Sequence, residues 1–298
     1  MSASADPTLP HPKLRPMSRI EPLIGLLSPI RLVAGLWASR SLIVQFSKRE
    51  LFARNKGSTL GIVWTLLHPL LMLAVYTFVF AVVWKARWTD GDAAAHESNV
   101  VFATSVFCGL IVFDIFGSTV GAASGLIVNH PNYVKKVIFP IEILPLAHLG
   151  AALCVSCIST CVLLAGTLLV SHTISSTVWC YPLVMIPLIM FTAGIGWLLA
   201  SLGVFLRDLR QVVSGVLLPV MFFLTPIFYP PSRVPEAFRW VTLSNPIAGV
   251  IENARRTLLY GQYPDWVSLG YSALLGAVVM QLGFAFFMKS RRSFADVL

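Results

Sequence analysis

Charged residues are scarce in this chain. Asp, Glu, Lys and Arg make up 12% of its 298 residues, where a soluble domain carries about 25%. That deficit, with 56% hydrophobic residues and a mean hydropathy of +0.78, excludes an ordinary soluble fold and leaves an integral membrane protein. Motifs that carry chemistry are missing too. No GxxxxGK[ST] phosphate loop occurs, and the glycines of NKGSTLG (55–61) lack both the spacing and the lysine that cradle a nucleotide phosphate. There is no HExxH, no GxSxG and no pair of carboxylates inside an apolar run, so the chain is not expected to be an enzyme. Any work it does draws on an energy source outside itself.

Cysteine is equally uninformative as chemistry. Cys154, Cys157 and Cys161 sit at helical spacing inside one apolar run and Cys108 inside another, which excludes a disulfide framework. No His or carboxylate lies near the three, so no metal site is expected. The formal charge of +9 does not indicate nucleic acid, because the apolar runs leave no room for a soluble basic face. The first 30 residues hold six prolines and no charged-then-apolar pattern ending in a cleavage site. Residues 1–37 are read as a mobile cytoplasmic lead-in, and 38–298 as one transmembrane domain.

Uncharged runs count the membrane crossings, since about 20 apolar residues span the hydrocarbon and an ionisable group at its centre is costly. Gly57 to Trp84 has no charge, and Asn99 to Val128 is interrupted only by Asp114. Ile143 to Arg207 is long enough for two crossings joined at Ser171 to Thr177, and two further runs follow. The fold expected is all-α with six transmembrane helices at about 60–84, 99–128, 143–170, 179–204, 211–230 and 266–288. Lys and Arg set the orientation: 16 of the 22 fall on the side of the two termini, which should therefore be cytoplasmic.

The first of these runs places Trp64, His68, Met72, Tyr76, Phe80 and Trp84 at four-residue steps, a ridge that winds slowly round a helix of about 3.6 residues per turn. Trp64 and Trp84 suit the two membrane interfaces; Tyr76 and Phe80 lie deeper. The fifth run ends in MFFLTPIFYPP and adds Phe222, Phe223, Phe228 and Tyr229. Such faces fit helix packing, and they also fit a sliding sugar polymer, because rings hold the C–H faces of a sugar without demanding one register.

Between the runs, Pro131 and Pro140 bracket a stretch with Asn132, Tyr133, Val134, Lys135 and Lys136. It is either a solvated loop or a short helix facing the cytosol. After the fifth run, Ile247, Val250, Ile251, Ala254 and Leu258 recur at helical spacing while Glu252, Arg255 and Arg256 fall elsewhere, an amphipathic helix. With TPIFYPPSRVPEAFRW it forms an expected re-entrant hairpin before the last crossing, and Glu252 is placed to pair with Arg255 or Arg256.

KRELFARNKGSTLGIVWTLLHPLLMLAVYTFVF, NYVKKVIFPIEILPLAHLG, FLRDLRQVV and SNPIAGVIENARRTLLYG, in this order, resemble the permease subunit of the bacterial ABC exporters of surface polysaccharides, the type-2 permeases for O-antigen, capsule or teichoic acid. The resemblance covers the chain from about residue 42 onward. It implies a homodimer in the inner membrane, joined to two copies of a separate ATPase that carries ATP and Mg, with no cofactor on this chain. The cargo is a lipid-linked polysaccharide. It further implies an interface helix with Lys48, Arg49, Arg54 and Lys56, a coupling helix over Asn132 to Lys136, an outward gate with Glu252, Arg255 and Arg256, and a path lined by Trp64, Tyr76, Phe80, Phe222, Phe223, Phe228 and Tyr229. Alternatives are an exporter of a small lipid or drug on the same architecture, or an ion-coupled carrier using Asp114. Around the interface helix, Leu42, Phe46 and Ala53 form one stripe while Val44 and Leu51 lie nearly opposite, so a second face is expected to touch the ATPase or the other permease copy.

Overall fold

In a bilayer no water is available to unpaired peptide groups, so a long uncharged run must satisfy them within a helix. The computed structural model describes residues 28–54, 60–83, 99–131, 133 and 140–297, and every regular element among the described residues is helical. In chain order they are α1 Pro29–Ala38, α2 Arg40–Arg54, α3 Trp64–Tyr76, α4 Asn99–Leu126, α5 Ile143–Ser171, α6 Tyr181–Phe205, α7 Leu209–Leu224, α8 Arg239–Ser244, α9 Pro246–Leu258, α10 Trp266–Ser290 and α11 Phe294–Val297. Helix α3 widens into π-helical turns over Thr77–Val83, and α7 contains a π-helical stretch at Val213–Leu217.

Among the described residues, four segments are long and apolar enough to cross a membrane: Val101–Leu126, Ile143–Leu169, Ser176–Phe205 and Trp266–Ser293. Trp64–Val79 and Leu209–Leu224 are apolar but shorter. The run expected to continue to residue 230 stops at Leu224, where Thr225 turns extended (φ −87°, ψ 131°) ahead of Pro226, because the residue before a proline resists the α conformation.

Helix α4 is the centre of the bundle, with Phe102, Val106, Val112, Ile115 and Val120 all buried. Around it, α6 and α10 pack backbone to backbone. A Cβ on Gly283 would collide with the main chain of Gly194, and one on Gly203 with the main chain of Ser124 on α4. Small residues are what let apolar helices approach this closely when the surrounding solvent is also apolar. Trp197 of α6 is fully buried and its Nε1 donates to the Glu142 carbonyl at 2.8 Å. The Glu142 carboxylate in turn holds Arg291 at 3.0 Å, which ties the start of α5 to the residues that follow α10.

Two features depart from expectation. The last ten residues or so of the lead-in form α1, whose Leu32 is buried (1% exposed), while Ile30, Val33 and Trp37 remain on its outer side. Helix α2 is seated on α5 of its own chain: Ser47 rests against Gly150, and Glu50 pairs with His148 at 3.4 Å. A glycine leaves room for the contact; of the second face, Leu51 is half-buried and Val44 stays exposed. Lys48 and Arg49 are exposed and Arg54 closes the helix, whereas Lys56 lies outside the described residues.

Candidate functional site

Three residues of the α3 ridge face one cleft. His68, Met72 and Tyr76 line it from α3, Phe107 and Asp114 from α4, Ser159 from α5 and Phe222 from α7, around a volume of about 290 Å³. These side chains converge because two short, partly buried helices lean on longer ones, α3 on α4 and α5, and α7 on α4.

Part of the wall is aromatic, from Tyr76, Phe107, Phe113 and Phe222. Tyr76 packs on Phe228 with ring centroids 6.4 Å apart, Phe228 on Phe222 at 5.2 Å, and Phe222 edge-on to Phe113 at 5.1 Å. Phe113 continues to Phe116 at 6.0 Å. Edge-on and tilted pairs at these spacings contribute about 0.5–1.5 kcal/mol each beyond their buried area, so the wall is held in shape by its own rings. Of the residues expected on a path, Tyr76, Phe222 and Phe228 are therefore brought together. Phe223 points away, 69% exposed. Tyr229 is half-buried and donates its hydroxyl to the Phe223 carbonyl at 3.0 Å. Trp64 lies at the helix start, 38% exposed, and the side chain of Phe80 is outside the described residues.

Polar groups enter this wall at few points. Asp114 is exposed while Phe113 and Ile115 on either side of it are buried. It stands thirteen residues from Val101 and twelve from Leu126, at the middle of a segment long enough to cross the bilayer, where a lipid-facing carboxylate costs about 2.5–3.5 kcal/mol. The cleft gives it an alternative to lipid. His68 is exposed and Ser159 is buried, its hydroxyl donating to the Val155 carbonyl at 3.1 Å. Phe113, His68 and Ser159 were not assigned a role from sequence. A ridge on one helix names one wall, and residues contributed by other helices become visible only when the bundle is assembled.

The remaining expected site residues lie elsewhere. Arg255 of α9, placed off the apolar face by periodicity, is fully buried. Its Nε donates to the Ser105 carbonyl at 3.0 Å, Nη1 to Pro226 and Nη2 to Ile227, each at 2.9 Å, and Glu252 stands 3.6 Å away. A buried cation is tolerated where such acceptors replace water. The guanidinium thus joins α9 to α4 and to the extended link after α7. Arg256 is half-buried and donates to the Tyr263 carbonyl at 3.2 Å. The start of α9 is fixed as well: Asn245 accepts from the Ile247 amide at 3.0 Å and donates to Thr225 Oγ1 at 3.0 Å, a helix cap that also binds the end of α7.

Asn132 and 134–139, with Val134, Lys135 and Lys136 of the expected coupling helix, lie outside the described residues. Tyr133 is half-buried; its hydroxyl accepts from Arg49 Nη1 at 2.8 Å, and its ring packs edge-on against Phe46 at 5.9 Å. The link after α4 is therefore joined directly to α2.

Known proteins are similar to this sequence along most of the chain. The O-antigen export system permease protein of Myxococcus xanthus is 30% identical over 90% of this chain and 99% of its own length. A permease of the same description from Klebsiella pneumoniae is 28% identical over 86% and 95%, and the polysialic acid transport protein of Escherichia coli is 25% identical over 80% and 89%. The sequence pattern of the ABC-2 type transporter family matches residues 41–259, from α2 to the end of α9 and so across the whole cleft. The chain is a multi-pass membrane protein that belongs to the ABC-2 type transporter family.

Proposed function

We propose that the chain is the permease subunit of an ATP-driven exporter that moves a lipid-linked surface polysaccharide across the inner membrane. The observation that carries this reading is the ring-lined cleft on α3, α4 and α7, within a chain similar over nearly its whole length to O-antigen permeases. Aromatic faces bind the C–H faces of successive sugars at little cost in register.

Two copies form the working unit, with α3 and α7 of each turned toward the other. Both helices carry exposed apolar side chains, among them Leu66, Leu70, Val75 and Phe78 on α3 and Val216, Val220 and Phe223 on α7. In the assembled state these two shorter helices also cross the membrane, six per subunit, with both termini in the cytoplasm. Two copies of a separate ATPase supply the energy, since the sequence carries no phosphate loop of its own. Closure of the ATPases presses on the link at Asn132 to Lys136, and the bond of Tyr133 to Arg49 passes the displacement to α2. Helices α8 and α9, with Glu252, Arg255 and Arg256, form the outward gate.

The test is complementation. A host lacking this gene regains surface glycan when the chain is supplied together with its ATPase, and not when the ATPase carries a lysine-to-alanine change in its phosphate loop. Recovery of glycan without ATP hydrolysis would refute the reading.

A further inference from the structure

The turn from α6 to α7, within FLRDLRQVV (205–213), stands out from the bundle. Helix α6 ends where Leu206 turns extended (φ −116°, ψ 99°), and the break carries apolar and charged side chains outward together. Phe205 is 43% exposed and Leu206 53%, with Arg207, Asp208 and Arg210 exposed beside them. Among the described residues none of these three charged side chains makes an ion pair or a hydrogen bond; Asp208, at the start of α7, does not cap it.

The turn is continuous with the link after α4. A Cβ on Gly125 would lie 3.2 Å from Asn129 Nδ2 and 3.9 Å from Arg210 Cδ, so the Arg210 stem crosses the end of α4. His130 follows, its ring stacked on Tyr133 at 5.7 Å, and Tyr133 holds Arg49 of α2 at 2.8 Å. One surface therefore runs from α2 past the end of α4 to the base of α7.

The charge pattern decides between a bilayer and a protein as the occupant. An anionic leaflet surface attracts Lys and Arg and repels carboxylate, whereas here Asp208 stands between two arginines. A folded protein surface satisfies both signs in one fixed register. Resting on the exporter reading above, we infer that the α6–α7 turn is a second docking point for the ATPase subunit, beside the link at Asn132 to Lys136. The ATPase face that fits it offers carboxylates to Arg207 and Arg210, a cationic side chain to Asp208 and an apolar notch to Phe205 and Leu206. Contact here acts on the base of α7. The π-helical stretch Val213–Leu217 begins three residues beyond Arg210, and Phe222 farther along lines the cleft, so movement of the ATPase reaches that wall without passing through α2.

The experiment uses the full permease in lipid nanodiscs, with and without its purified ATPase and in the absence of nucleotide. Leu206→Cys and, as a reference, Lys136→Cys are labelled with a membrane-impermeant maleimide, read as the gain over the unmodified chain. The ATPase is expected to slow labelling at both positions about tenfold or more, because a docked partner excludes water from its contacts. Arg207→Glu with Arg210→Glu, and separately Asp208→Arg, should each weaken binding of the ATPase to the permease about tenfold or more. The inference is overturned if Leu206→Cys labels equally with and without the ATPase, if lipid alone shields it so that the ATPase adds nothing, or if the charge reversals leave the affinity unchanged. Protection at Lys136→Cys alone removes the second docking point and leaves the exporter, whereas an ATPase that does not bind the unmodified permease removes the exporter reading and this inference with it.

Discussion

Gly109 and Arg255 are in such close contact that a Cβ on the glycine would lie 2.9 Å from Nη2 of the guanidinium. The glycine creates the space in which α9 places a fully buried cation against three carbonyls on α4 and the link after α7. Replacing Arg255 by Met should leave those carbonyls without donors, at about 1–3 kcal/mol each, and greatly lower the thermal stability or yield of the purified protein. Gly109→Ala should cost less, about 1–3 kcal/mol from overpacking, as a fall in the unfolding midpoint. A Gly109→Ala protein as stable as the original would show that the contact is slack.

The bond from Arg49 to Tyr133 predicts a measurable coupling between α2 and the link after α4. Arg49→Gln and Tyr133→Phe should each lower export in the reconstituted complex, and the double variant should be no worse than the poorer single one. Because the bond is exposed, its coupling free energy should not exceed about 1 kcal/mol. Strict additivity of the two changes would show that the residues act separately.

The aromatic wall predicts that position matters more than ring count. Tyr76→Ala combined with Phe228→Ala, which removes a contact on the cleft, should reduce surface glycan about two- to tenfold, the range implied by the loss of ring contacts. Val267→Ala with Leu274→Ala, both well exposed on α10, should leave it unchanged. Equal effects of the two pairs would favour general packing over path lining.

Changing Tyr133, Lys135 and Lys136 together to alanine should abolish export while the protein remains inserted and ATP hydrolysis by the partner continues. The readouts are membrane fractionation, ATPase rate and surface glycan. Undiminished export would remove the coupling role from this segment.

How far the sequence carries the fold can be judged residue by residue. An uncharged run such as Ile143 to Ser171 admits little besides a helix, so its place was legible from composition, whereas the stop of α7 at Leu224 was missed, because an uncharged run to residue 230 hid the break at Pro226. The ridge His68, Met72 and Tyr76 was legible as a face, and all three residues line one cleft. Arg255 was not. Helical periodicity assigns any arginine to the wet side, whereas its burial rests on carbonyls from residues 105, 226 and 227. The seat of α2 was hidden for the same reason, since the side chain missing at Gly150 lies about a hundred residues beyond Ser47.

The contact of Gly194 with Gly283 has a mechanical consequence. Helices locked backbone to backbone have no side-chain cushion with which to slide, so α6 and α10 behave as one rigid post, with α4 fastened to it through Ser124 and Gly203. Compliance is left to α3 and α7, the two helices with π-helical turns. A π turn holds one residue more than an α turn, so converting it rotates everything beyond it by about 100°. Of the cleft's walls, the one on α4 is fixed to this post, and those on α3 and α7 belong to the helices whose turns can convert.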